Sequence, residues 1–360
     1  MIVAYVSGHG YGHATRVSEV LRAVRERDRA MPITIVTSAP EELFRRAIAA
    51  PLVFRALECD VGVAQKDALT LDEAGTAVRW RSFHESNGDR VDAEWRWLHH
   101  STARVVLGDV PPLAFQVAAE VGIPSVALAN FSWDWIYRHL ARRQGDLIEA
   151  AAWAAAAYGR CGLLLKLPFA GDLSAFPKAI DIPLVARRPK ATRSDVRGRL
   201  GLGSGALGLI SFGGIPFGGF DPQAFARLRG IDLVTVGPAP EVANVKILAL
   251  ESLASLGLGF EDLVGAVDVV ITKPGYGIVS DAIGAGTRII YTERGDFPEY
   301  PILVAGMESL VPCAHVSNAD LFAGQIQAQL RDVLSRPIPP APDLSGAAVA
   351  AEQILLAAAR

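Results

Sequence analysis

Residues 267–303 read VDVVITKPGYGIVSDAIGAGTRIIYTERGDFPEYPIL. An apolar, β-branched run, Val267–Thr272, ends in Lys273-Pro274-Gly275-Tyr276-Gly277; a helical stretch then runs to the glycines at 284 and 286, and a second apolar run, Arg288–Thr292, follows. Strand, glycine turn, helix and strand in that order make the repeating unit of a parallel α/β sheet. The same turn suits an anion. Free N–H groups at a helix start face outward there, and the glycines admit a diphosphate close to the backbone. Asp281 falls about one turn into the helix, where its carboxylate is expected to accept from ribose hydroxyls. Asp296 and Glu299, beyond the next run, offer carboxylates to further hydroxyls.

Working outward, runs of the same kind precede this stretch at Leu207–Phe212, Leu233–Val236 and Val245–Leu250. The first of them opens into Gly213-Gly214, a backbone pair free to turn its N–H groups toward a phosphate. The first half of the chain repeats the alternation with Ile2–Val6, Ile33–Thr37, Val105–Gly108 and Ser125–Ala129. From about Leu167 to Arg199 the pattern gives way to a proline- and charge-bearing connection. The expected architecture is α/β with two Rossmann-like, doubly wound units facing a cleft: residues 1–180, residues 181–345, and a terminal helix at 346–360 docking back across the junction.

The opening loop, SGHGYGH at residues 7–13, follows the first apolar run and precedes an amphipathic helix. In that helix Val17, Val20, Leu21 and Val24 keep i, i+3, i+4, i+7 spacing while Arg22, Arg25, Glu26 and Arg27 face away. A dinucleotide fingerprint would need a glycine or alanine where His13 stands, and an acid at the end of the second run where Thr37 and Ser38 stand; NAD is therefore disfavoured. No P-loop sequence occurs. His13 at a helix start is disfavoured as imidazolium and suited to act as a neutral base. Asp109, ending the run before Pro111 and Pro112, is placed to orient such a histidine, although capping the next helix is an alternative use.

A formal net charge of −3, with 51% hydrophobic and 20% charged residues, describes a globular chain with no reason to seek nucleic acid or an anionic membrane. Cys59, Cys161 and Cys313 lie far apart without metal-ligand spacing, which fits a reducing cytoplasm and neither a disulfide framework nor a zinc site. The start MIVAYV has no basic leader, and the Ala-rich segment around EAAAWAAAAYGRCGLLL is interrupted by Arg160, so no membrane span is expected.

Three segments together, GHGYGHATR, GDVPPLAFQVAAEVGIPSVALANFSWDWIY and TKPGYGIVSDAIGAGTRIIYTERGDFPEYPIL, resemble GT-B glycosyltransferases. The likeness extends to the lipid-linked N-acetylglucosaminyltransferases of peptidoglycan synthesis and the plant UDP-glycosyltransferases. It is greatest to the glycosyltransferase-like N-terminal region of plant L-arabinokinases. The resemblance implies an inverting, metal-independent transfer of a sugar from a nucleotide sugar, in the first instance a UDP-sugar, to an acceptor hydroxyl. By position it implies His13 as catalytic base and Asp109 as its acid partner, with Gly10 and Gly12 in the first loop. It implies Gly213, Gly214, Lys273, Gly275, Tyr276 and Gly277 around the diphosphate, Asp281 at the ribose, Phe260 or a backbone near it over the base, and Glu299 at the donor sugar.

The chain departs from these families in two places. The galactokinase-type ATP domain that follows in arabinokinases has no counterpart in these 360 residues, where GLGSGALG at 201–208 only mimics its glycine motif. The uracil-stacking tryptophan motif of the plant enzymes is missing, which leaves the nucleotide base open. A D-x-D metal signature is also absent, in keeping with backbone N–H groups and helix ends neutralising a departing diphosphate, and no cofactor is expected. Nucleotide-sugar epimerases share the scaffold, and a non-catalytic sugar-nucleotide-binding module is a further alternative. Trp133, Trp135 and Tyr137 stand after a first-half strand, either as an acceptor-stacking surface or as core.

Overall fold

The structure, a computed structural model, describes residues 1–48, 51–67, 70–212, 222–237 and 244–360. Among these residues one sheet contains β1 (Ile2–Val6), β2 (Ile33–Thr37), β3 (Val53–Ala56), β4 (Val105–Asp109), β5 (Ser125–Ala129), β6 (Leu163–Lys166) and β7 (Ala179–Asp181). A second contains β8 (Leu207–Ile210), β9 (Asp232–Val236), β10 (Val245–Leu248), β11 (Val269–Thr272), β12 (Arg288–Tyr291) and β13 (Cys313–His315). Every pairing is parallel. The orders are β3-β2-β1-β4-β5-β6-β7 and β10-β9-β8-β11-β12-β13. Each sheet therefore reverses direction once, between β1 and β4 in the first and between β8 and β11 in the second. A crevice opens at such a reversal, outside the carboxyl ends of the strands.

The central strands are buried on both faces, as uninterrupted apolar runs require in a sheet covered by helices. The opening helix, Tyr11–Arg27, buries Val17, Val20, Leu21 and Val24, the stripe its spacing dictates. On it, and on β4 and β5, lies the terminal helix Gly346–Ala358, which buries Ala347, Ala350, Ala351 and Ile354. These residues share one apolar cluster with Val264, Val279 and Ile283 of the second unit, so a continuous core ties the two sheets together. Each large side chain sealed in it contributes about 1.5–3 kcal/mol.

The Ala-rich helix ends at Tyr158, before Arg160, and the apolar residues that follow it form β6. Among the described residues no helix is long and apolar enough to cross a membrane. The three cysteines are free and buried. Trp133 and Tyr137 are core: the indole N–H of Trp133 donates to Asp60 at 2.8 Å, and the Tyr137 hydroxyl donates to the Gly62 carbonyl at 3.1 Å.

Candidate active site

The turn after β1 is made by Gly10, whose φ of 84° is a conformation that suits glycine, and the opening helix begins one residue later. His13 is thus swung inward over the end of β4. Because β1 and β4 pair with Val6 opposite Asp109, the two side chains meet at the first sheet's reversal point. His13 Nδ1 lies 2.9 Å from Asp109 Oδ1, both residues buried. With Nδ1–H donating to the carboxylate, Nε2 is the nitrogen left to take a proton. The ring packs edge-on to Phe131, with centroids 5.6 Å apart.

A third group, Arg16, completes the arrangement. It stands one helical turn after His13 and grips both carboxylate oxygens of Asp109, with Nε 2.6 Å from Oδ2 and Nη2 on Oδ1. Burial alone would push the Asp109 carboxyl up. The Arg16 charge and hydrogen bonds, helped by His13, outweigh it and hold the carboxyl below its ordinary range. Removing either partner would strand a buried charge, at a cost of about 3–5 kcal/mol.

The opposite wall comes from the second unit. The turn after β11 carries Lys273, and the helix Tyr276–Ala285 starts beside the opening helix, so that a Cβ on Gly277 would stand 3.3 Å from the Gly12 Cα. Burial, then the charge of Arg294, lowers the Lys273 ammonium to about 8. Arg294 Nη1 donates to Glu299 at 3.0 Å and to the Pro274 carbonyl at 3.3 Å. His9 faces the same wall. Burial, then the neighbouring His13, Arg294, Lys273 and Arg79, depress it to about 3, leaving a neutral ring. Two sets of helix-terminal N–H groups open between the helix starts, a place that favours an anion.

Asp60, which follows β3, accepts from Ser7 Oγ at 3.0 Å and from the Trp133 indole. Burial raises its carboxyl to about 6.

The structure brings together His13, Asp109, Gly12, Tyr276 and Gly277. It gives Asp281 a partner within the chain. That carboxylate is buried on the face of its helix turned toward the segment joining the sheets, where Arg187 occupies both of its oxygens: Nε at 3.2 Å and the backbone N–H at 3.3 Å on Oδ1, and Nη2 on Oδ2. Arg187, an arginine the sequence pattern did not pair with it, thus holds the carboxylate that the resemblance assigns to the ribose, one helical turn past Gly277 and on the same side of the helix. Asp296 meets His139 Nε2 at 3.1 Å and Arg143 Nη2 at 2.6 Å, both from the first unit. Glu299 is buried and binds Asn130 as well as Arg294. Phe260 begins the helix Phe260–Ala266 and packs partly buried on the shared core. Gly213 and Gly214 lie outside the described residues. Among the described residues no three His, Cys, Asp or Glu side chains gather as a metal site.

Arg16, Asn130, Arg294 and Asp60 were not singled out by sequence reasoning. Asn130 directly follows β5 and so obeys the strand-end rule that flagged Asp109, and Arg16 is at i+3 from His13, a spacing that puts the two on one helix face.

No protein-family model matches the chain. In sequence it is 32% identical over 338 residues to L-arabinokinase of Arabidopsis thaliana, a match that takes in 92% of this chain and 32% of that protein. The chain thus spans about a third of the length of the curated relative it matches. Among solved structures it resembles the glycosyltransferase of kitacinnamycin at a TM-score of 0.62, with 16% identity over 99% of this chain and 94% of the other. It also resembles UGT2 of Phytolacca americana, solved with UDP-2-fluoro-glucose and pterostilbene, at a TM-score of 0.62, with 12% identity over 99% and 94% of the two chains. A UDP-glucosyltransferase of Polygonum tinctorium gives 0.60, with 12% identity over 100% and 98%. The paired parallel sheets, the cleft between their reversal points and these likenesses agree: the chain has the GT-B fold of glycosyltransferases.

Proposed function

We propose that the chain is a glycosyltransferase that moves a sugar from a nucleotide sugar, in the first instance a UDP-sugar, to an acceptor hydroxyl with inversion and without a metal ion. The observation that carries the reading is the buried His13–Asp109 pair at 2.9 Å, set at the reversal point of one sheet and facing the glycine turn of the other. His13 Nε2 removes the acceptor proton as the oxygen attacks the anomeric carbon, and the bond to the nucleoside diphosphate breaks. Asp109 stabilises the imidazolium that forms. The negative charge gathering on the leaving diphosphate meets Lys273, Arg294 and the N–H groups at Gly275–Gly277. The places of Phe260 over the nucleotide base and of Glu299 at the sugar rest on the family resemblance.

The test is incubation with a panel of UDP-sugars in the presence of a chelator, with and without a panel of hydroxyl acceptors, followed by mass spectrometry. Glycoside formed only when an acceptor is present is the expected result. Epimerised or eliminated donor in its absence would point to an epimerase, and tight UDP binding with no turnover on any acceptor would point to a binding module.

A further inference from the structure

The contacts of Asp109 continue across the cleft. Arg16, which holds the carboxylate, also donates from Nη1 to Asn130 Oδ1 at 2.6 Å. Asn130 Nδ2 in turn donates to Glu299 Oε1, again at 2.6 Å, and Glu299 Oε2 accepts from Arg294 at 3.0 Å. Asn130 follows β5 of the first unit, whereas Glu299 opens the helix Glu299–Glu308 of the second. His13, Asp109, Arg16, Asn130 and Glu299 are all buried.

We propose that Arg16 and Asn130 are positioning residues. They tie the His13–Asp109 pair to Glu299 of the facing unit and hold the imidazole in its working tautomer only while the two units stand together as they do here; the inference rests on the reading of His13 as base.

Each link has one donor and one acceptor: the Asn130 carbonyl faces Arg16 and its amide faces Glu299, so the asparagine is locked by a group from each unit. Arg16 has a second contact with the far side, because its guanidinium lies over the ring of Tyr276 at 5.3 Å. The Tyr276 hydroxyl is itself buried without a hydrogen-bond partner in the described structure. The closeness of Gly12 and Gly277 sets the separation at which these contacts form.

If the units part, Asn130 loses Glu299, and Arg16 loses both the fixed amide and the ring. A loosened Arg16 has an alternative acceptor at hand, since its Nη2 is already 3.2 Å from His13 Nδ1. An arginine N–H can donate to Nδ1 only when that nitrogen carries no proton, and the proton then sits on Nε2, where it blocks the base. The arrangement seen here has Arg16 turned onto Asp109 instead, which leaves Nδ1–H for the carboxylate.

The test uses the whole chain and the polarity of the link. Asn130→Asp sets a carboxylate against Glu299 and should break the contact; adding Glu299→Gln restores it, because the glutamine amide donates to Asp at 130 while Arg16 donates to the same side chain. In histidine-labelled protein, two-bond nitrogen–proton correlations of neutral His13 should show the Nδ1–H tautomer in the wild type. They should show the Nε2–H tautomer gaining in Asn130→Asp, and recovery in the double variant. Turnover with a UDP-sugar should fall about tenfold or more in Asn130→Asp with donor KM within about threefold. A tautomer unchanged by Asn130→Asp, or a double variant no better than the single one, overturns the link. The tautomer arm reads the link without turnover, so a wild type that transfers no sugar refutes the enzymatic reading separately.

Discussion

Gly277 faces Gly12 across the junction so closely that a Cβ on it would stand 3.3 Å from the Gly12 Cα and 3.7 Å from Thr15 Oγ1. Both glycines lie in the first turns of their helices, and the contact sets how near the two helix starts come. Gly277→Ala is expected to be close to neutral. The alanine gains about 1 kcal/mol of helix propensity and loses a similar amount to backbone crowding. Gly277→Val adds methyls with nowhere to go and should cost about 1–3 kcal/mol. Denaturant midpoints of the two variants, measured side by side, check this; equal stability would mean that the approach is looser than described.

Asp281 is expected to be a stability residue. Asp281→Ala leaves the partly buried guanidinium of Arg187 with Glu261, 3.2 Å away, as its ion-pair partner. The loss should be about 3 kcal/mol, the scale for stranding one partner of a buried pair. Calorimetric titration with UDP should give unchanged affinity in the folded variant. Weakened nucleotide binding at unchanged stability would return Asp281 to the ribose.

Asp60 should leave a mark on the pH dependence of folding. Its carboxyl is raised by burial from the usual carboxylate range to about 6. Between about pH 4 and 6 the unfolded chain has therefore released a proton that the folded chain keeps, so this group's contribution to stability falls as pH rises through that window and stays lower above it. Asp60→Asn removes the effect. Relative to wild type, the variant should improve by up to about 3 kcal/mol between pH 4 and pH 7, read from denaturant unfolding at each pH. A difference that does not change with pH would mean that Asp60 ionises normally.

Much of the fold was legible because the central strands are sealed on both faces and read as unbroken apolar runs: Ile2–Val6, Ile33–Thr37 and Ser125–Ala129 keep those limits in the structure. The strands missed are short and lie toward the sheet margins. β3 and β7 are edge strands of three or four residues with exposed positions, β13 is the three-residue edge of the second sheet, and β6 follows the Ala-rich helix so closely that its leucines read as helix. In the site, His13 and Asp109 were visible because each sits next to a strand end beside a glycine or proline turn. Arg16 was hidden inside a helix that had already accounted for its apolar face, and the pairing of Asn130 with Glu299 joins positions 169 residues apart, a relation that only the packing of the two units creates.

The central claim is that His13 is the base of an inverting transfer. The most direct measurement is the rate of glycoside formation from an α-linked UDP-sugar by the wild type and by His13→Ala, with the product's anomeric configuration read by NMR and UDP affinity measured for both proteins. A base role for His13 gives a β-linked product, a rate lower by about 10²–10⁴-fold in His13→Ala, and UDP affinity changed little. A product of retained configuration, or a His13→Ala protein that turns over at the wild-type rate, would contradict it.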